Sequence, residues 1–295
     1  MVRAAGPAHR IRDKELMSNK GSSRVLRGVL LTALALGMTA TTACAAKADN
    51  DVRTEQPANK PAVLLVHGAF ADGSSWVRVA ERLQQDGYQV TAAAVPLRGL
   101  AYDSAYIRSI LDAMPGKTLL VGHSYGGAVI TNAATGSPNA AGLVYVAAFA
   151  PDQGEPLGLL DGRFGGPASK ISVPHMYPLP DGKGTAPELV VAPDKFPEFF
   201  AQDLPAKEAK VLGASQRPVA AGVFAEPSAE PAWKTLPSWA LIANDDRMIP
   251  PAGQREMATR AKATIVEHAG SHAIALSQPQ AVVDVIETAA AAIAR

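Results

Sequence analysis

The sequence predicts an α/β fold: a mostly parallel six-stranded sheet flanked by helices, with a proline-rich cap inserted in it. Three observations predict it. From Pro61 onward, short β-branched or aliphatic runs alternate with helical patterns of about a dozen residues, the signature of βαβ units. A Gly-x-Ser-x-Gly pattern, Gly122-His123-Ser124-Tyr125-Gly126, stands directly after one such run and before a helical pattern. Between Pro151 and Pro237, where 14 of the chain's 23 prolines fall, the alternation stops.

In chain order, residues 1–48 read as a leader and residues 49–295 as one domain, with the cap over about 151–235. Residues 29–46 carry no charge and follow Lys20, Arg24 and Arg27, the basic, then apolar, then small layout of a secretory signal. The apolar core from Val29 to about Met38 is short for a bilayer span, which favours a cleaved leader over a retained anchor. Export to the medium, the periplasm or the cell surface is therefore expected. The single cysteine, Cys44, excludes an intrachain disulfide. Thr41-Thr42-Ala43-Cys44 resembles a lipoprotein processing site with Thr41 where an aliphatic residue is preferred, so lipidation at Cys44 stands beside simple cleavage after Ala45 or Ala48.

Composition narrows the function. With 47% hydrophobic and 19% charged residues, disorder and collagen are excluded. Residues 1–28 hold seven basic and two acidic side chains, and the remainder holds 21 basic against 25 acidic. The body is thus acidic and carries no electrostatic footprint for nucleic acid.

Six strands are predicted, over residues 62–66, 88–94, 118–121, 142–147, 239–243 and 264–267, each apolar enough for burial on both faces. Val79 and Leu83 with a stop at Gly87 outline one helix. Ile107, Ile110, Leu111 and Met114 outline a second, and Val129, Ile130 and Ala133 a third, ending near Gly136. Proline lacks the amide hydrogen a ladder requires, so the cap is expected to hold no ordinary core strands. A short helix opening at Pro205 and running through Ala206, Ala209 and Val211 fits there.

The Gly-x-Ser-x-Gly turn must be so tight that Ser124 adopts strained dihedrals, with glycines at 122 and 126 removing Cβ atoms that would collide. The hydroxyl then projects into the crevice at the carboxyl end of the sheet. A serine hydroxyl is a poor nucleophile at neutral pH and requires a base, with a third group fixing the base's tautomer. Asp246 follows the strand at 239–243 and His272 follows the last strand, so both fall at the edge where Ser124 is displayed. Asp245 adjoins Asp246, and only one of the two can orient the histidine. Asp86, Asp103 and Asp112, in or beside predicted surface helices, are expected to be solvated or capping acids. His67 and His123, each next to a glycine at a strand end, are expected to make structural hydrogen bonds. His268 and His272 are four apart, but Gly270 between them argues against a helical chelate. No metal site and no cofactor is expected.

Taken together, residues 61–295 resemble an α/β-hydrolase, and more narrowly the bacterial esterase-like relatives of plant methylesterases and hydroxynitrile lyases. The stretches that carry the resemblance are Leu65-Val66-His67-Gly68-Ala69-Phe70 with Trp76, Gly122-His123-Ser124-Tyr125-Gly126-Gly127, Ser215-Gln216-Arg217-Pro218, Asp246-Arg247-Met248-Ile249-Pro250 and Ser271-His272-Ala273. The resemblance implies the α/β-hydrolase fold and a Ser124, Asp246, His272 triad, Asp246 being favoured by its spacing to Pro250. It also implies an oxyanion hole formed by the backbone N–H groups of Ala69 and Tyr125. The expected activity is hydrolysis of a small to medium carboxylic ester through an acyl-enzyme. Lactone or thioester hydrolysis and perhydrolysis use the same machinery. Hydroxynitrile cleavage is disfavoured because Ala273 stands where the family's lyases carry lysine, and a dehalogenase would place aspartate at position 124. A non-catalytic ligand-binding protein is the alternative from another class. Of the cap aromatics Phe164, Tyr177, Phe196, Phe199, Phe200 and Phe224, most are expected to be cap core. The expected partner is a small-molecule ester, with membrane association only through an N-terminal lipid or uncleaved leader; the sequence does not specify an oligomeric state.

Overall fold

The computed structural model describes residues 60–294. The leader and Cys44 lie outside the described residues.

The order of elements is β1 (Ala62–Val66), α1 (Val77–Gln85), β2 (Val90–Ala93), α2 (Leu100–Ala113), β3 (Thr118–His123), α3 (Tyr125–Ala133) and β4 (Ala140–Val146), then the cap, then β8 (Ser238–Ala243), α8 (Pro251–Arg260), β9 (Thr264–His268), α9 (Ile274–Ser277) and α10 (Pro279–Ile293). The cap comprises α4 (Leu157–Phe164), α5 (Ala168–Ile171), β5 (Ser172–Pro178), β6 (Thr185–Val191), α6 (Phe196–Phe199), α7 (Ala206–Ala214) and β7 (Val219–Ala220). Six strands form one sheet in the order β2-β1-β3-β4-β8-β9, and every ladder in it is parallel.

Strand alternation distributes the core over two faces. Val63 and Leu65 pack with Leu119, Val121 and Trp239 under α1 and α10, through Val79, Leu83, Val282 and Ile286. Leu64, Val66 and Leu120 face α2, α3 and the cap, through Ile107, Leu111 and Val129. The central strands β1, β3 and β8 are buried along their whole length.

Burial on both faces, expected of all six strands, fails at the two edges. β2 and β9 are largely accessible, with Ile265 and Val266 exposed, because each has a neighbour on one side only. The cap also departs from expectation. None of its residues enters the main sheet, yet β5, β6 and β7 make an antiparallel sheet of their own. Its prolines are tolerated because β5 is an edge strand and β7 pairs only with Glu188 and Leu189 of β6, leaving Pro187 beyond that pairing.

Candidate active site

Parallel strands release their chain at one edge of the sheet, and the loops after β1, β3, β8 and β9 assemble the site there. Ser124 sits between β3 and α3 with φ +54° and ψ −123°, a conformation that costs a non-glycine residue about 1–3 kcal/mol. The surroundings hold it in place: its amide donates to Val146 O at 3.3 Å, and its carbonyl accepts from Gly127 N at 3.0 Å and Phe149 N at 3.1 Å. The flanking glycines are required by close approach. A Cβ on Gly122 would meet Gly126 O at 2.5 Å, and one on Gly126 would meet Val66 O at 2.3 Å.

The three residues that the sequence spreads over 149 positions come together in a single hydrogen-bonded chain. Ser124 Oγ lies 2.9 Å from His272 Nε2, and His272 Nδ1 lies 2.7 Å from Asp246 Oδ2. With Nδ1–H donating to the carboxylate, Nε2 is left as acceptor for the serine O–H. Asp246 is buried, and its Oδ1 also accepts the amides of Met248 at 2.7 Å and Ile249 at 3.0 Å. Asp245 is exposed and accepts instead from Gly270 N at 3.0 Å.

The histidine loop is clamped from two sides. His123 Nε2 donates to His272 O at 2.8 Å. From the cap, Phe200 O accepts Ala273 N at 2.9 Å, Asp203 Oδ2 accepts Ser271 N at 2.8 Å, and the Phe200 ring meets the imidazole edge-on at 4.6 Å. His67 accepts Val95 N on Nε2 at 2.9 Å and places Nδ1 2.9 Å from Gly68 O. Burial holds His67 at a pKa of about 4 and pushes His123 well below the usual histidine range. Burial thus favours the neutral ring in both, and both make the structural hydrogen bonds expected from their positions beside glycines.

Asp103 corrects the solvated half of its expectation and keeps the capping half, since it accepts a backbone amide just ahead of α2. It is fully buried rather than solvated, and it accepts Tyr125 Oη–H at 2.7 Å and Arg98 N at 3.2 Å. Tyr125, the first residue of α3, reaches across to α2, so the acid tethers the helix that carries the serine. Burial raises the pKa of both partners. Asp112, by contrast, is a half-exposed partner of Arg108.

Gln254 on α8 was not singled out by any sequence pattern. Its Nε2 donates to Asp246 Oδ2 and to Ile249 O, both at 2.7 Å, and its Oε1 accepts Ala243 N at 3.2 Å. A small pocket opens over the serine, walled by Ala69, Phe70, Phe149, Phe224, Met248 and Ile249. The void itself is about 20 Å³, the room of a single water. Ala69 and Tyr125 border it, and among the described residues no hydrogen bond from either backbone amide to a protein acceptor is seen. Of the cap aromatics, Phe224 lines this pocket, while Phe196 stacks on Phe200 at 4.5 Å.

Known proteins share this arrangement of elements. An alpha/beta hydrolase of Aspergillus novofumigatus is 28% identical over 257 residues, spanning 78% of this chain and 97% of that one. The crystal structure of polyneuridine aldehyde esterase superposes with a TM-score of 0.67 at 19% identity, covering 78% of this chain and 99% of the other. A pyrethroid hydrolase from Sphingobium faniae gives 0.65 at 24% identity, with 79% and 98% covered. Residues 63–285 match the alpha/beta hydrolase family, and with a serine elbow set at the carboxyl edge of a parallel sheet, the chain belongs to that family.

Proposed function

We propose that the protein is a serine hydrolase that cleaves a small to medium carboxylic ester through an acyl-enzyme. The observation that carries this reading is the Ser124–His272–Asp246 chain, at 2.9 and 2.7 Å, with Ser124 and His272 bordering a pocket walled mostly by apolar side chains. The esterase and pyrethroid hydrolase names of the structural relatives point the same way.

His272 Nε2 takes the Ser124 proton as Oγ attacks the ester carbonyl, and Asp246 holds the imidazole and stabilises its cation. The Ala69 and Tyr125 amides donate to the oxyanion of the tetrahedral state; losing one such donor typically lowers the rate about 10²–10³-fold. The imidazolium then protonates the departing alkoxide oxygen. Water, deprotonated by His272, attacks the acyl carbonyl, and collapse of the second tetrahedral state returns the proton to Ser124 Oγ and releases the acid. Because the void at the serine is water-sized, the substrate's bulk extends toward the cap, where the larger cavity lies.

A fluorophosphonate probe tests the reading. Wild type should be labelled at Ser124 and hydrolyse aryl esters, and Ser124→Ala should do neither. Labelling that persists in the alanine variant overturns the assignment. We further infer that the chain acts after export; an N-acylated Cys44, or a mature start just beyond it, in the mass spectrum of secreted material would support this.

A further inference from the structure

Asp161 lies on the cap helix α4 and is 8% exposed, and it borders the same pocket as Ser124 and His272. No step of the hydrolysis above uses it. Its neighbours there are Phe70, Phe149, Phe224 and Met248, so it is an acid in an otherwise apolar wall. Among the described residues no ion pair reaches it. The Ala168 amide donates to it and the charge of Lys170 acts from a distance, yet burial dominates and pushes its carboxyl up to about 6. Asp161 is thus a buried acid that no cation of the described residues faces, and its ionised form is costly unless a bound group supplies the counter-charge.

The space beyond Asp161 indicates where that group would sit. Asp161, Ala168 and Phe224 also border a second cavity of about 170 Å³ within the cap. Its other walls include Ser169, Leu189 and Ser172, whose buried hydroxyl has no hydrogen-bond partner among the described residues. This volume has room for a group of several non-hydrogen atoms. Asp161 thus borders both the nucleophile's pocket and a larger, partly polar cavity in the cap.

We propose that Asp161 determines substrate choice: the cap cavity seats a cationic amino group of the ester, which donates its N–H groups to the Asp161 carboxylate while the ester carbonyl lies against Ser124. This rests on the hydrolase reading and adds the substrate class. A neutral hydroxyl or amide would satisfy the hydrogen bonds, but only a cation offsets the buried charge as well.

The experiment compares two aryl esters of equal length, a 6-aminohexanoate and a heptanoate, at pH 8. Wild type should favour the ammonium ester by about tenfold or more in kcat/KM, the scale of a charge-assisted hydrogen bond, with the difference carried by KM. In Asp161→Asn the ratio should collapse toward one. A wild-type ratio near one, or a ratio unmoved by the substitution, overturns the proposal. Should that variant fail to fold, wild type alone decides through inhibition of phenyl acetate hydrolysis. Hexylammonium should inhibit about tenfold more tightly than hexanol, and parity overturns the proposal. If wild type resists the fluorophosphonate, the ester chemistry fails separately, and calorimetric binding of hexylammonium against hexanol still tests the subsite: a tenfold preference supports it and parity overturns it.

Discussion

Asp246, on the loop after β8, and Asp161, on the cap helix α4, are both almost wholly buried, yet their oxygens are treated in opposite ways. Asp246 accepts four hydrogen bonds, from the Met248 and Ile249 amides, the Gln254 side chain and the His272 ring. Asp161 has the Ala168 amide and a distant lysine. The difference separates the core edge from the cap. Where a group must be aimed before substrate arrives, the core supplies every partner itself, since a fully satisfied polar network is rigid. Where the cap leaves a charge unmatched, the missing partner comes from outside.

The largest expected effect lies on the satisfied side. Asp246→Asn keeps the shape but presents an amide that favours the wrong imidazole tautomer, so kcat should fall about 10⁴-fold while the fold, read by circular dichroism, persists. Turnover within tenfold of wild type would show that Asp246 does not orient the base, and the contrast with Asp161 would lose its meaning.

Acid should then expose the cost of the core's neutral histidines. His67 has a folded pKa of about 4 against 6.5 in the unfolded chain, so its contribution is fully present above pH 6.5 and is lost as pH falls toward 4. In that window the unfolded state holds more protons, and the slope of about 1.4 kcal/mol per pH unit sums to about 3 kcal/mol. His123, also shifted downward, adds with the same sign. Urea unfolding at pH 7 and pH 4.5 measures this, and His67→Gln should flatten the slope by about one proton. An unchanged slope would mean that the ring is not held neutral.

Gln254→Leu sharpens the comparison by removing one of Asp246's four donors. The loss should be about tenfold to a hundredfold in kcat with KM little changed, the scale of one hydrogen bond to a charged group, and the fluorophosphonate labelling rate should fall in parallel. A change confined to KM would place Gln254 in substrate binding.

How much of this was legible in the sequence depends on how local each signal is. Ser124, Asp246 and His272 each follow a strand of the main sheet, and parallel strands deliver such loops to one edge, so chain order sufficed to bring them together. The structural hydrogen bonds of His67 and His123 were readable because each adjoins a glycine at a strand end, whereas their neutrality follows from burial. Gln254 was not, because its role arises only when the loop from Asp246 to Pro250 curls back and α8 turns that side chain inward. Asp103 carried the spacing of a surface acid; the partner that buries it, Tyr125, is 22 residues away on another helix. Neither sheet pairing in the cap nor the position of Asp161 leaves a periodic trace, since the prolines there obscure both helical and strand patterns and the pairing is decided by tertiary contact.

The smallest effect is opposite in sign to the others, which makes it the strictest check on the comparison. Asp161 titrates at about 6 in the fold against 3.8 in the unfolded chain. The folded state therefore holds the extra proton, and the stability this gives is complete below pH 3.8 and lost as pH rises through 6. Asparagine has no proton to lose and can still accept from the Ala168 amide. Asp161→Asn should then match wild type near pH 3.5 and exceed it by about 1–2 kcal/mol at pH 8, a figure reduced from the full shift for partial solvent access. Denaturant melts at the two pH values measure it. A variant less stable at pH 8 would make the carboxylate a structural strut of the cap. A gain that appears only on the alkaline side would mark a charge retained at the expense of stability, as expected of a side chain kept for its ligand.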